Sequence, residues 1–562
     1  MCRKVIGCLL FVAVTFGFSA SAQQYAFQVT FTDKNNTPYS FSDPLVFLSP
    51  RSLQRRANQG IALDSTDLPV NPAYVDSVLT LTGGRFHETS RWLNMCMILL
   101  EAPDSAQILN LAGKAFIHDV KLVGYYSTDL HRNSGTTPSA TGSASTHKTT
   151  TTDNTYYNNT WTQTSLVNGN VLHDNGFNGE NMLIAVMDAG FIGADVHPGF
   201  DSMWQSGRMV DTFNFVYHNT GVFSADNHGE EVLSTMAGDV PGTYVGTAPR
   251  AMYALYVTEY DPNDQPLELD NMIAAAERAD SIGADVISES LGYDLFLNPA
   301  DGQTFAELDG NTTVAAKAAN MATKKGILFV ATAGNDGTGI PGWGNHILTP
   351  GDADSALTIG AVDYSGTLPN FSGFGPNAAG QVKPDVCGMG VASWVFGTTS
   401  GYSQQDGTSF STPQIAGWAA CIWQSDRSAT PYKVKQAIIK CASSALYTTP
   451  GPQIGYGIPD FSCARAAFEA VPQIPFTTAN WVQATPNPFN AELNISAAPS
   501  AAGNIHFTLT DMTGRVVLNA DQYFNKGYNA PVDLSIPQLP AGIYILKAVS
   551  ATAQQIIKLE KE

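Results

Sequence analysis

The sequence predicts an α/β core with a doubly wound parallel sheet, preceded by an α+β region and followed by a small β-sandwich. Five apolar runs carry the core prediction: 183–187, 252–257, 286–288, 327–331 and 356–362. They alternate with helical patterns at 272–281 and 313–325. Uninterrupted apolar runs are typical of parallel strands covered on both faces. With 562 residues, the chain is also too long for one domain.

The start of the chain and its charge balance are typical of an exported protein. Arg3 and Lys4 precede an apolar run at 5–18, and Ala20-Ser21-Ala22 follows, so residues 1–22 are predicted to be a signal peptide. No later segment resembles a membrane span. The net charge of -20 argues against a nucleic-acid partner, which would require a basic patch.

Five cysteines remain after the signal peptide: Cys96, Cys387, Cys421, Cys441 and Cys463. They form no CxxC or metal-type cluster, and an odd number allows two disulfides at most. A Cys441–Cys463 bridge is one candidate.

Ser409 has the surroundings that a nucleophile needs. It lies in the turn 406–413, directly before the apolar, small-residue run 414–422, which predicts a tightly packed helix. At the start of that helix, unpaired backbone N–H groups favour negative charge developing beside the hydroxyl. A serine at this position can also be an ordinary N-cap.

A base and an orienting acid can be assigned on similar grounds. His228 precedes a helical pattern at 230–237 that begins with two acids, so we expect it at the N-terminus of a helix. Asp188 ends the apolar run 183–187, and the carboxyl ends of parallel strands are where open α/β sheets build their sites. Asp188 alone could instead start a loop as an Asx turn.

The order Asp188, His228, Ser409 and the motifs around them resemble the subtilisin-like (subtilase) serine peptidases. The three motifs are Ile184–Gly190, with Ala189 where Thr or Ser is common, Asn227-His228-Gly229, and Gly407–Pro413 with Ala416-Gly417. The resemblance implies a catalytic triad of these three residues. It also implies an oxyanion hole formed by Asn335, within 330–337, and the backbone N–H of Ser409.

The resemblance further implies substrate-binding segments and the cofactor requirement. Ser290, Leu291 and Gly292 would pair with the substrate backbone beside the specificity pocket, as would Gly334 in the turn before Asn335. Glu289 alternates away from Ser288 and Ser290, and we expect it to have a structural partner or solvent contact, with selection of basic substrate side chains as the alternative. No cofactor is required. Subtilases often carry structural calcium, but no EF-hand-like loop or dense acidic run is present, so calcium remains open.

The regions that flank the catalytic domain, predicted at 156–470, suggest processing and export. Residues 23–132 resemble the N-terminal pro-regions of subtilases from Bacteroidetes-type bacteria, although a stable accessory domain is an alternative. The Ser/Thr-rich linker 133–155 is the expected maturation site. After a second linker at 471–484, residues 485–562 resemble the sorting domain of the type IX secretion system. A β-sandwich that binds carbohydrate or protein is the alternative there.

The sequence therefore predicts a secreted or cell-surface serine endopeptidase that acts through an acyl-enzyme on protein or peptide substrates. Its expected partners are those substrates and the type IX machinery, and we expect a monomer. A catalytically silent adhesion protein on the same fold is the rival hypothesis. The sequence does not separate a broad peptidase from a processing enzyme for one partner.

Overall fold

A computed structural model describes residues 23–101, 105–111, 113–126, 153–224, 226–259, 265–293, 303–339, 347–470 and 481–561, the last with gaps at 486, 488, 490–492, 498, 502, 525–528 and 535–538. The predicted signal peptide and most of the predicted linker 133–155 lie outside these residues. None of the described helices is long and apolar enough to cross a membrane.

The N-terminal domain is α+β, as predicted. Its elements are β1 (Gln24–Phe31), α1 (Pro50–Gln59), α2 (Pro72–Thr82), β2 (Arg85–Ser90), β3 (Met95–Glu101), α3 (Ser105–Leu109) and β4 (Ile117–Tyr126). The strands form an antiparallel sheet in the order β2-β3-β1-β4. β3 is buried over almost its whole length, which agrees with its apolar sequence.

The central domain contains both α/β layers and short accessory strands. Its first half comprises α4 (Asn154–Tyr157), α5 (Trp161–Ser165), α6 (Asn170–Asp174), β5 (Leu183–Asp188), α7 (Asp201–Gln205), β6 (Met209–Asn214), α8 (His228–Ala237), β7 (Asp239–Val240), β8 (Tyr244–Val245), β9 (Met252–Val257) and α9 (Leu267–Ile282). Its second half comprises β10 (Val286–Glu289), α10 (Val314–Lys324), β11 (Leu328–Thr332), β12 (Leu357–Val362), β13 (Val386–Met389), β14 (Ser393–Phe396), β15 (Tyr402–Gln405), α11 (Thr408–Gln424), α12 (Pro431–Lys440), β16 (Ala442–Ser443), β17 (Ile458–Pro459) and α13 (Phe461–Ala470).

Seven parallel strands form the central sheet, in the order β13-β12-β11-β10-β5-β9-β6. Alternate residues of β5 enter two apolar cores, one with α8 and α11 and the other with α9 and α10. Both faces of the sheet are therefore covered, and the doubly wound prediction is confirmed. The five predicted strands are present, whereas β6 and β13 were missed.

The N-terminal domain packs onto α9 through α1, β2 and β4. Trp92 and Met95 of this domain are buried in the same apolar core as α9 and α10. The contact between the two domains is therefore continuous with the hydrophobic core of the central domain.

The C-terminal region consists of two small sheets that share one apolar core, which supports the predicted β-sandwich. Its strands are β18 (Val482–Thr485), β19 (Asn494–Ala497), β20 (Gly503–Asp511), β21 (Val516–Phe524), β22 (Asn529–Asp533), β23 (Gly542–Val549) and β24 (Gln554–Lys561). The alternating sequence at 493–495, 505–509, 542–546 and 555–559 predicts β19, β20, β23 and β24, whereas the other three strands were missed.

The cysteines divide into one disulfide and three thiols among the described residues. Cys441 is bonded to Cys463, as in the candidate pairing. Cys96, Cys387 and Cys421 are free and buried. Burial raises the pKa of all three thiols, that of Cys96 to about 12.

Candidate functional site

Asp188 and His228 form a hydrogen-bonded pair at the carboxyl edge of the sheet. Asp188 is the last residue of β5, and His228 is the first residue of α8. The two side chains meet through His228 Nδ1 and Asp188 Oδ1, which are 2.7 Å apart. Asp188 is fully buried, whereas the imidazole is 31% exposed. Since Nδ1 is engaged with Asp188, Nε2 is the ring nitrogen that remains for proton transfer.

Two glycines allow this close approach of a strand end and a helix start. The backbone N–H of Gly229 donates to the carbonyl of Gly190, 2.9 Å away. A Cβ on Gly229 would lie 2.4 Å from that carbonyl oxygen, and a Cβ on Gly190 would lie 2.2 Å from the backbone nitrogen of Asp226. Side chains at either position would push the two segments apart. Asp226 also holds the start of the helix, because its Oδ1 accepts the His228 N–H at 2.7 Å.

Ser409 is the second residue of α11, and its side chain is oriented by the segment that follows β10. Its Oγ donates to the backbone carbonyl of Ser290 at 3.1 Å, and the Ser290 hydroxyl donates to the carbonyl of Ser409 at 3.0 Å. Ser409 is not the N-cap, since Gly407 occupies that position. The next residue, Phe410, lies beside the imidazole of His228, with ring centroids 5.8 Å apart.

Thr408 determines the orientation of Asn335. The Thr408 backbone N–H donates to Asn335 Oδ1 at 3.0 Å, and the Thr408 hydroxyl lies 2.8 Å from the same oxygen. Because the carbonyl side of the amide is engaged in this way, its NH₂ group points to the opposite side with two N–H donors. Thr408 lies directly beside Ser409 in the turn, but the local sequence does not indicate this contact with Asn335.

The charges around His228 favour its protonated form. Burial alone would lower the pKa of the imidazole, but the charge and the hydrogen bond of Asp188 outweigh it. Glu259 and Glu231 add to the effect, and the pKa is raised to about 9. Glu231 accepts hydrogen bonds from Asn227 and Gln405, both at 3.2 Å. From the sequence, Glu231 was expected only in the first turn of a helix.

The expectation for Glu289 was wrong. Its side chain is fully buried, and neither carboxyl oxygen has a hydrogen-bond partner among the described residues. Burial raises the pKa of this carboxyl well above its ordinary value, with contributions from Asp188 and Glu259. A neutral carboxylic acid can be buried without a cation. Glu230 is similar, because burial and Glu231 raise its pKa to about 9.

The structure places the predicted site residues at one edge of the sheet. Asp188 ends β5, Asn335 follows β11, and Ser290, Leu291 and Gly292 follow β10. Parallel strands end at the same edge, so these residues surround the start of α11, where Ser409 lies. Across the described part of the chain, no group of three or more His, Cys, Asp or Glu side chains could hold a metal ion.

Three family models match successive parts of the chain. Residues 26–139 match the peptidase S8 propeptide domain of Bacteroidota, residues 179–457 match the subtilase family, and residues 484–562 match the secretion system C-terminal sorting domain. The first match extends into the predicted linker 133–155, and the second lies within the predicted catalytic domain 156–470.

Individual relatives match the central domain. A thermophilic serine proteinase from Bacillus sp. (strain AK1) is 29% identical over 49% of this chain and 59% of its own length. Subtilisin BL from Lederbergia lenta is 28% identical over 50% of this chain and 90% of its own length. Among solved structures, the prenylagaramide maturation protease PagA aligns with a TM-score of 0.42 and 23% identity, covering 53% of this chain and 98% of that one.

Proposed function

We propose that this chain, which belongs to the subtilase family of serine endopeptidases, hydrolyses peptide bonds with Asp188, His228 and Ser409 as its triad. The observation that carries the proposal is the 2.7 Å hydrogen bond between Asp188 and the imidazole of His228. A carboxylate on Nδ1 holds the ring in the tautomer whose Nε2 can accept a proton.

In the proposed reaction, His228 takes the proton of Ser409 as Ser409 attacks the substrate carbonyl. The imidazolium that forms is stabilised by Asp188, and His228 then protonates the leaving amine. Water hydrolyses the acyl-enzyme in the second half of the reaction. In the free enzyme the Ser409 hydroxyl donates to the carbonyl of Ser290, so substrate binding must redirect it towards His228.

Stabilisation of the tetrahedral intermediate is assigned to two donors. One is the backbone N–H of Ser409 at the start of α11, where the helix dipole also favours negative charge. The other is the amide of Asn335, whose orientation is supported by its contacts with Thr408. Ser290, Leu291, Gly292 and Gly334 are proposed to bind the substrate backbone on either side of the cleft.

The terminal regions have separate roles. The C-terminal sorting domain indicates export by the type IX secretion system and a cell-surface or extracellular location. Residues 23–132 are proposed to be the pro-region, with maturation in the linker 133–155 and a catalytic domain at 156–470. The contact of the N-terminal domain with α9 is consistent with a pro-region that stays bound until it is released.

The test compares the purified wild type with Ser409→Ala and Ser411→Ala on a peptide-library mixture. Ser411 is a matched control, because it lies in the same helix turn and its hydroxyl donates to the backbone of Thr408. Ser409→Ala should lower kcat by about 10⁶-fold, the loss that removal of the nucleophile causes in subtilisin, and Ser411→Ala should change it by less than about tenfold.

The mass of each protein, followed over time, gives a second readout. The wild type should lose its N-terminal region, and Ser409→Ala should keep it. If the wild type and Ser409→Ala are equally inactive after added protease has removed this region, the peptidase proposal fails and the adhesion hypothesis replaces it.

A further inference from the structure

Two backbone segments lie beside Ser409, and the space between them is termed the slot. One segment is 290–292, which exchanges hydrogen bonds with Ser409, and the other is 333–335, which ends in Asn335. In the proposed reaction, Ser409 attacks the carbonyl carbon and Asn335 binds its oxygen. The side chain of the residue that carries this carbonyl begins two bonds from the reacting carbon, at Cβ, so we expect it to enter the slot.

Residues 348 and 349 close the far end of this slot. The backbone N–H of Leu348 donates to the carbonyl of Ala333 at 3.3 Å. Thr349 is joined to Tyr293 by two backbone hydrogen bonds, of 2.9 and 3.3 Å. Leu348 and Thr349 therefore bridge the two segments that form the walls of the slot, and Leu348 forms the floor between them.

The side chain of Leu348 fills the space between the walls. A Cβ on Gly292 would lie 2.9 Å from Leu348 Cδ1, and a Cβ on Gly334 would lie 2.5 Å from Leu348 Cγ. Gly334 also has a φ of 92°, which disfavours any other residue. Each wall thus has a glycine where it contacts Leu348, so that only backbone atoms lie against the leucine. The Leu348 side chain is only 6% exposed.

We infer that Leu348 limits the slot to small side chains and that this peptidase cleaves after glycine, alanine or serine. The inference rests on the proposed function and adds its substrate class. A larger substrate side chain would have to displace a packed leucine, and close-packed interiors do not yield such space without cost. Selection of basic residues by Glu289 has no support, because that carboxyl is buried and offers no surface to a substrate.

The experiment uses three peptides that differ only in the residue before the scissile bond, which is alanine, leucine or phenylalanine. For the wild type, we expect kcat/KM for alanine to exceed that for phenylalanine by at least about 100-fold, since even one methylene group in a pocket is worth roughly 10–200-fold. Leu348→Ala should raise kcat/KM for phenylalanine by about 10-fold or more and change that for alanine by less than about fivefold.

Leu357→Ala is the matched control, because it also removes a buried leucine but lies within β12. It should leave the ratio between the three peptides unchanged. Should Leu348→Ala fail to fold, Leu348→Val shortens the side chain by one methylene group and should still raise the rate for leucine relative to alanine.

The outcomes separate this inference from the proposed function. If neither the wild type nor Ser409→Ala cleaves any peptide, the proposed function fails and the inference falls with it. If the wild type cleaves after phenylalanine as fast as after alanine, or if the Leu348 variants keep the wild-type ratio within threefold, the inference alone is wrong.

Discussion

The N-terminal domain contacts the two ends of α9 through opposite kinds of chemistry. At the C-terminal end, the buried carboxylate of Asp280 accepts hydrogen bonds from three arginines, Arg55, Arg56 and Arg91. At the N-terminal end, Glu88 is buried with no hydrogen-bond partner among the described residues.

Asp270 completes the second end. It accepts one hydrogen bond, from Gln28 at 2.6 Å, and its other oxygen has no partner within the described part of the chain. Asp280 at one end of α9 is thus compensated by cations, whereas the raised pKa values of Asp270 on α9 and Glu88 on β2 favour neutral carboxylic acids at the other end. The difference teaches that the stability of one interface can contain two contributions that change with pH in opposite directions.

The pKa values express this contrast. Burial would raise the pKa of Asp280, but the three arginines outweigh it and hold the pKa well below its ordinary range. Burial raises the pKa of Asp270 to about 7 and that of Glu88 well above its ordinary value. The stability contributed by Asp280 is therefore present above about pH 4 and lost in stronger acid. That contributed by the carboxylic acids is greatest in acid and lost as the pH rises.

Other titratable groups face the same end of α9. Burial lowers the pKa of His87 to about 3, so this imidazole is neutral in the closed interface. His218 and Tyr126 lie next to His87, and Lys121 and Glu277 act on the two acids. His87 opposes the carboxylic acids below its ordinary pKa of about 6.5, so the carboxylic acids dominate only above that pH.

The largest effect should come from Asp280→Ala, combined with Ser409→Ala so that the N-terminal domain remains attached. Three buried arginines would lose their common partner, and breaking a buried ion pair in this way typically costs 3–5 kcal/mol, an order-of-magnitude estimate. Hydrogen exchange of α9 reports the free energy of opening this contact.

Asp76→Ala, an exposed change on α2, provides the comparison and should cost less than about 0.5 kcal/mol. Equal protection of α9 in the two variants would remove the distinction between the ends of the interface.

Glu88→Gln tests the uncharged end. Between pH 6.5 and 8 the opening free energy of the Ser409→Ala protein should fall with rising pH, by up to about 1.4 kcal/mol per pH unit for each carboxylic acid that must stay protonated. Glu88→Gln should reduce this slope, because its amide carries no titrating proton. The measurement is hydrogen exchange of α9 and β2 across this pH range, with Glu101→Gln, at the exposed end of β3, as the control. An unchanged slope in Glu88→Gln would contradict the assignment.

The smallest expected effect concerns the candidate active site, where the charge of Glu231 acts on the pKa of His228. In the proposed reaction His228 must be neutral to accept a proton, so kcat/KM should rise with pH to an apparent pKa of about 9. Glu231→Gln removes one of the charges that raise this pKa and should lower it by a fraction of a unit. The pH dependence of kcat/KM for a small peptide measures the change. Glu180→Gln, an exposed substitution, should leave the apparent pKa unchanged. A shift of equal size in Glu180→Gln would indicate a general charge effect.

The sequence predicted those elements whose position depends on the local pattern of apolar and small residues. The run 183–187 identified β5 because every residue in it is apolar, and the helix start at Ser409 followed from the small residues behind it. β6 was missed because Asp211, Thr212 and Asn214 interrupt its apolar character at the edge of the sheet.

Features that depend on long-range contacts could not be predicted. Nothing near Leu348 indicates that its side chain meets Gly292 and Gly334, which lie in other segments. The acids of α9 also have the spacing of a solvated helix face, and only the structure shows the N-terminal domain above them. The error for Glu289 has the same origin, since a sequence does not reveal that a carboxyl is buried deeply enough to stay protonated.

The placement of the cysteines has a consequence for oxidative folding outside the cytoplasm. Disulfide exchange requires a thiolate, and burial keeps Cys96, Cys387 and Cys421 in the protonated form and away from oxidants. Once the cores have formed, Cys441 and Cys463 are the only described cysteines that are joined. The folded protein can therefore pass through an oxidising compartment without scrambling its bridge. A chain that stays unfolded there would expose to mispairing all five cysteines that follow the predicted signal peptide.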